Sequence, residues 1–200
     1  MYFASQIRRR TFRTTEPEFD LSSEILSEGD WVLDVGANIG HYTIRFSELV
    51  GASGRVIAFE PVPDTFEILS SNVSVSGALN VSLVNAAASD STRIAGVEIP
   101  MLDSGLANFY MAHLSSAPAN LTVLCISVDA LAIENKVRLV KIDAEGHDFV
   151  VLKGMEKLLR RHQPILFVEE STENVVDFLK EIGYSMQKLP NSPNSVFRIP

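Results

Sequence analysis

Val32-Leu33-Asp34-Val35-Gly36-Ala37-Asn38-Ile39-Gly40 is the stretch on which the reading of this chain turns. Trp31, Val32, Leu33 and Val35 form a nearly continuous apolar run with β-branched members, the pattern of a strand buried on both faces. The run carries Asp34 near its end and then meets Gly36, Asn38 and Gly40, residues that tolerate unusual backbone angles and let a ligand approach the main chain. Tyr42, Ile44, Arg45, Phe46 and Leu49 follow at roughly helical spacing. The order is strand, tight glycine loop, helix. A helix start offers free N–H groups and the positive end of the macrodipole, which predicts a seat for an anionic group.

The same strand-loop-helix pattern continues outward. Arg55-Val56-Ile57-Ala58-Phe59 reads as a second buried strand, ending at Glu60-Pro61. Glu60 stands twenty residues after Gly40, where an acid at a strand end can accept hydrogen bonds from two ribose hydroxyls. Asp64 is positioned to cap the next helix, on which Phe66, Leu69 and Val73 share a face. Val81 to Asn85 reads as a third strand. Ala86-Ala87-Ala88-Ser89-Asp90 then supplies small residues against which a flat ring could pack.

From Ser91 to Thr122 the periodicity loosens. Ile94, Val97 and Ile99 suggest a short hairpin, and Leu121 to Val128 a peripheral strand. Long irregular segments in compact domains are usually functional or mobile, so residues 91–122, with Asn108, Tyr110 and His113, read as a substrate-side flap. Val137 to Ile142 is a fourth main strand, running into Asp143-Ala144-Glu145-Gly146-His147-Asp148. Phe149, Leu152, Met155, Leu158 and Leu159 predict one amphipathic helix. Pro164 to Val168 is a fifth strand, closed by Glu169 and Glu170. Val175, Phe178, Leu179 and Ile182 mark a last helix, closed by Gly183. Tyr184 to Leu189 and Ser195 to Ile199 make a terminal hairpin.

Two hundred residues suit one domain, residues 1–200, with a leader over 1–15. A formal net charge of -8 argues against a nucleic-acid groove, which needs a basic face. The single cysteine, Cys125, excludes an internal disulfide and fits a reducing compartment, so the protein is expected in the cytoplasm. It lies in an apolar run and reads as a core residue. No apolar run approaches a membrane span. Arg8, Arg9, Arg10 and Arg13 read as a solvated leader rather than a patch for an anionic substrate.

A dinucleotide loop needs glycine at three offsets, and His41 stands where the third would fall. Three blocks coincide instead: Asp34-Val-Gly-Ala-Asn-Ile-Gly40, Phe59-Glu-Pro61 and Lys141-Ile-Asp-Ala-Glu-Gly146. Together they resemble the FkbM family of S-adenosylmethionine-dependent methyltransferases, from about Glu16 to Tyr184. The resemblance implies an α/β, Rossmann-like class I methyltransferase fold: a mostly parallel seven-stranded sheet, helices on both faces and a C-terminal antiparallel hairpin. It implies S-adenosyl-L-methionine as cofactor, and O-methylation of a hydroxyl on a sugar or secondary metabolite. The cofactor residues so implied are Asp34, Gly36, Ala37, Asn38, Gly40, Glu60, Pro61, Ser89, Asp90 and Asp143, with Asp34 near the ammonium and Asp90 at adenine. An alcohol is a weak nucleophile, so a base is needed. Asp143 is the first candidate, with Glu145, His147 and Glu169 as alternatives. The expected acceptor is a small molecule or carbohydrate, with no nucleic acid, membrane or metal involved. An NAD(P)-dependent oxidoreductase and a non-catalytic adenosyl-cofactor binder are the competing functions. Two departures from the family pattern are Ala144, where a larger aliphatic is usual, and Asp148, where glutamate is usual. The leader is also short for the family.

Overall fold

The computed structural model describes residues 5–6, 14–115 and 119–200. The leader arginines lie outside those residues. In chain order the elements are α1 (Pro17–Ile25), β1 (Trp31–Val35), α2 (His41–Val50), β2 (Arg55–Phe59), α3 (Pro63–Ser76), β3 (Val81–Val84), β4 (Ala87–Ser89), β5 (Arg93–Glu98), β6 (His113–Ser115), β7 (Leu121–Ser127), β8 (Val137–Ile142), α4 (Asp148–Lys153), α5 (Glu156–His162), β9 (Ile165–Val168), α6 (Glu173–Ile182), β10 (Ser185–Lys188) and β11 (Ser195–Arg198).

Seven strands form the central sheet in the order β10-β11-β9-β8-β1-β2-β3. The pairs β3–β2, β2–β1, β1–β8 and β8–β9 are parallel, whereas β11 runs antiparallel to both β9 and β10. Alternation along the strands splits the core into two layers. On one face Leu33, Val35, Val140 and Ile142 pack against Val151, Leu152, Met155, Val175 and Leu179 of α4 to α6. On the other, Val32, Val56, Leu139 and Phe167 meet Phe19, Tyr42 and Phe46 of α1 and α2. Ala58 packs under Ile44, Leu69 and Val73 of α2 and α3. The strand order reverses between β1 and β8, and ligands of such sheets bind outside the carboxyl ends at that point.

The segment read as a flap contributes to a second sheet, order β4-β7-β5-β6. Here Ala87 to Ser89 pair in parallel with Cys125 to Ser127, so the small-residue run is itself a strand. Val62, Ala87, Val97, Val123 and a fully buried Cys125 give this sheet its own apolar cluster. Between its strands lie a bridge from Met101 to Ala107 and a 3₁₀ turn over Phe109–Met111.

Two local expectations change. The predicted single helix from Phe149 divides into α4 and α5, because Gly154 lies against β4: a Cβ there would stand 1.7 Å from the Ser89 carbonyl oxygen. Asp64 does not cap α3; Val62 occupies that place with Pro63 after it, and no side chain caps the helix. Gly183 closes α6 in a left-handed conformation, φ 108°, as the sequence predicts.

Candidate active site

A cavity of about 280 Å³ opens at the carboxyl ends of β1, β2, β8 and β9, roofed by the second sheet. Gly36 and Asn38 form one wall. The backbone of the two central loops touches here: Gly36 has φ 77°, and a Cβ on it would lie 1.8 Å from the Asp143 carbonyl oxygen. Only glycine allows that approach, which brings the β8 loop and Asp143 against the β1 loop.

The glycine loop is not an anion seat. The N–H groups of Gly36 and Ala37 both donate to the Phe59 carbonyl, that of Ile39 to the Asn38 side chain, and that of Gly40 to the Ala37 carbonyl. The Asn38 N–H donates to Glu60 Oε2 at 3.0 Å. With these five donors committed, the loop shapes the cavity without offering a phosphate cradle.

Glu60 is buried, and its second oxygen accepts from the Val62 N–H at 2.9 Å. Burial pushes its carboxyl up to about 7, against those two hydrogen bonds and with help from the charges of Asp34 and Asp143. Asn85 donates to the carbonyls of Glu60 and Pro61 and fixes this turn.

Asp34 lies behind the loop rather than in the cavity lining. It is fully buried; Oδ2 accepts from the Thr43 hydroxyl at 2.6 Å and Oδ1 has no partner among the described residues. Burial pushes its pKa up, against the pull of Lys141 and Thr43. Lys141, directly paired with Asp34 across β1 and β8, is a buried ammonium that the sequence reading gave no role. It sits 2.8 Å from Asp143 Oδ2 and 4.7 Å from the centre of the Tyr42 ring. A lysine between the apolar Val140 and Ile142 of this strand was the available signal, since buried charges need a partner.

Asp143 and Glu169 extend from the ends of β8 and β9, with an oxygen of each within 4.8 Å of the other. Burial pushes Asp143 up, but the Lys141 ammonium and the hydrogen bonds outweigh it and hold the group below the usual carboxylate range. Glu169 goes the other way: burial, its hydrogen bond to Asp143 and the Asp143 charge raise it to about 8. Glu145 stands beside them in a left-handed conformation, φ 46°. Its pKa is raised by burial and then by Asp143, Glu170 and Asp148. One oxygen from each of Asp143, Glu145 and Glu169 lies within 4.8 Å of the others, a spacing a divalent cation could use. Lys141 already balances one of these charges.

His147 lines the cavity with Nε2 3.2 Å from Ser89 Oγ, and burial, then Arg93, lower its pKa. Thus Gly36, Asn38, Glu60, Pro61, Asp143, Glu145, His147 and Glu169 are brought together around one cavity, whereas Asp34, Ala37, Gly40, Ser89 and Asp90 lie outside its lining. Asp90 is turned away, paired to Arg93 at 3.1 Å. Ala86, Ala87 and Ala88 line the cavity without it. Asp148 does not face the acceptor side either. It is buried and accepts from the N–H groups of Ala144 (2.9 Å) and Glu170 (3.0 Å), clamping the two acidic loops together. Phe109, Met111, His113 and Leu114 of the flap also line the cavity; the Tyr110 side chain lies outside the described residues.

The family model described as Methyltransferase FkbM domain matches residues 34–186, from the first cavity strand to β10. The chain belongs to the FkbM methyltransferase family. Among curated relatives, it is 32% identical over 156 residues to the hexuronic acid methyltransferase AglP of Haloferax volcanii. That match covers 76% of this chain and 61% of the relative, so the chain spans less than two thirds of the relative's length. Among solved structures, methyltransferase FkbM from Methylobacillus flagellatus superposes with a TM-score of 0.63 at 17% identity, over 86% of this chain and 44% of that one. SMU.1697c from Streptococcus mutans, in complex with SAH, gives 0.57 at 15% identity over 93% and 96%. These likenesses share the fold.

As an FkbM methyltransferase the chain uses S-adenosyl-L-methionine. Its residues fit that cofactor. The loop has no phosphate cradle and the cofactor has no phosphate. Ala86 to Ala88 leave a flat wall, and Glu60 retains acceptor capacity at the end of β2. No helix among the described residues is long and apolar enough to cross a membrane.

Proposed function

We propose that this FkbM methyltransferase is an O-methyltransferase of a carbohydrate hydroxyl, and that the Asp143–Glu169 pair handles the hydroxyl proton. The observation that carries the reading is that pair: two carboxyl side chains with oxygens within 4.8 Å of each other in the cavity, and the Lys141 ammonium 2.8 Å from Asp143, so that Asp143 is held low and Glu169 is raised to about 8. Groups whose environments push their pKa values apart divide acid and base roles. Asp143, kept anionic by Lys141, accepts a hydrogen bond from the acceptor hydroxyl and orients it. Glu169, once ionised, is the better-matched base, because a base is most effective with a pKa near the working pH. The cofactor supplies an electrophilic methyl on a sulfonium. Glu60 holds the ribose hydroxyls, Asn38 and Gly36 fix the loop, and the apolar flap residues Phe109, Met111 and Leu114 exclude water. The similarity to a relative named for a hexuronic acid supports a sugar acceptor.

The test is single-turnover methylation of a panel of glycosides at saturating labelled donor. Glu169→Gln is expected to bind SAH as the wild type does and to lose turnover by roughly 100-fold or more. Near-wild-type turnover in that variant overturns the base assignment. A panel in which no glycoside is methylated overturns the acceptor class.

A further inference from the structure

The acceptor end of the cavity has a one-sided charge. Four carboxyl side chains line the cavity, Glu60, Asp143, Glu145 and Glu169, and no lysine or arginine does so among the described residues. The nearest cations are committed elsewhere. Lys141 is 3% exposed and bound to Asp143. The Arg93 guanidinium is spent on Ser89, Asp90 and Ser91 outside the lining. Of the two imidazoles in the lining, His113 donates its Nδ1–H to the Met111 carbonyl at 3.0 Å and is the one basic group that draws the Glu145 pKa down, the smallest of the influences on it, and His147 Nε2 contacts the Ser89 hydroxyl. Of the four carboxyls, Glu60 belongs to the cofactor end, and Asp143 is balanced by Lys141. Glu145 has no lysine or arginine against it. It lies half-buried between Asp143, Glu170 and Asp148, on a backbone conformation that a non-glycine residue adopts at a cost.

From this arrangement we propose that the site selects an uncharged hydroxylated acceptor over an anionic one, and that Glu145 is the residue that sets the discrimination. The inference rests on the carbohydrate reading above and departs from the uronic acid named for the Haloferax volcanii relative. A carboxylate accepts hydrogen bonds from neutral sugar hydroxyls. The same carboxylate repels a uronate carboxylate brought within a few ångströms, in a cavity where water screens poorly. Specificity then comes from the repulsive element as much as from the attractive one.

The experiment is a competition in one vessel between a methyl hexopyranoside and its matching methyl hexuronoside, with labelled S-adenosylmethionine and products separated by mass. The neutral glycoside is expected to be preferred at least tenfold in kcat/KM. Glu145→Gln is expected to shrink that preference at least threefold, and SAH calorimetry on the variant checks that the cavity is intact. A ratio unchanged by Glu145→Gln removes the residue's role. Equal or better use of the uronoside overturns the charge selection while the carbohydrate reading stands. If neither compound is methylated, the carbohydrate reading falls and the selection falls with it.

Discussion

Cofactor affinity should rise with pH across neutrality, and Glu60 should be the cause. In the cavity the Glu60 carboxylate already accepts from the Asn38 and Val62 N–H groups, one on each oxygen. Two ribose hydroxyls would bring the donors to four, about the capacity of an ionised carboxylate. A proton on Glu60 takes one of those acceptor sites. Losing one charge-assisted hydrogen bond costs about 1.5–3 kcal/mol, so the protonated form binds at least tenfold more weakly. Burial raises this carboxyl to about 7, so the ionised fraction climbs through neutrality. The sign follows: binding needs the deprotonated group, so affinity is low below the free-enzyme pKa and reaches a plateau above it. Between pH 6 and pH 8 the ionised fraction goes from about one tenth to about nine tenths, and with the residual affinity of the protonated form this predicts a roughly five- to ninefold gain in affinity. SAH is the probe, because it carries the ribose and cannot react, and calorimetry at pH 6, 7 and 8 gives the three constants. Glu60→Gln should bind more weakly and show a flat profile. A flat or falling wild-type profile refutes the reasoning, and so does an equally steep rise in the variant, which would place the titrating group elsewhere.

Gly36→Ala should abolish SAH binding, since its methyl would meet the Asp143 carbonyl at 1.8 Å and its backbone would sit at an unfavourable φ of 77°; calorimetry reads the loss, and retained affinity would mean the two loops separate freely. Asp148→Ala removes the acceptor for the Ala144 and Glu170 N–H groups, each bond worth about 1.5–3 kcal/mol to a charged partner. Urea unfolding should show a loss of about 3 kcal/mol, and a change below about 0.5 kcal/mol would deny the clamp. Lys141→Met removes the cation beside Asp143, so both carboxyls of the pair should hold protons more tightly and the rising limb of the rate–pH profile should move to higher pH. A limb that stays in place, with SAH binding intact, would show that Lys141 does not tune the pair.

The alternating strand and helix periods made the parallel sheet legible, because buried strands read as continuous apolar runs and their helices as one-sided stripes. Glu60, Asp143 and Glu169 were legible for a related reason: acids that end apolar strands fall at the carboxyl edge of the sheet, where the cavity forms. What escaped the sequence depended on contacts distant along the chain. The role of Lys141 exists only because β8 pairs with β1 and sets the lysine beside Asp34. That Phe59 and Glu60 take up the N–H groups of the glycine loop was not legible, because nothing local shows those acceptors. Asp90 was named for adenine through the family resemblance, and its ion pair with Arg93 is a contact that the sequence reading did not consider. The break at Gly154 reflects the packing of β4, whose strand character depends on a partner some forty residues away.

The placement of β11 between β9 and β10 sets an order of events during synthesis. When the ribosome has finished β9, the outer edge of that strand has no neighbour, and β10 emerges before the strand that will join it to the sheet. At about 5–20 residues per second, the thirty or so residues from Val168 to Arg198 take a few seconds. For that time a strand whose last three residues are buried in the mature protein offers an open edge, the feature that recruits foreign strands. Glu18 waits longer. Its buried carboxylate accepts from Asn194, 176 residues downstream. At the same pace α1 is held without that partner for about 10–35 seconds. Helix α1 is therefore among the last elements to be locked, and a nascent chain stalled before Asn194 would carry α1 without that tie and β9 uncovered.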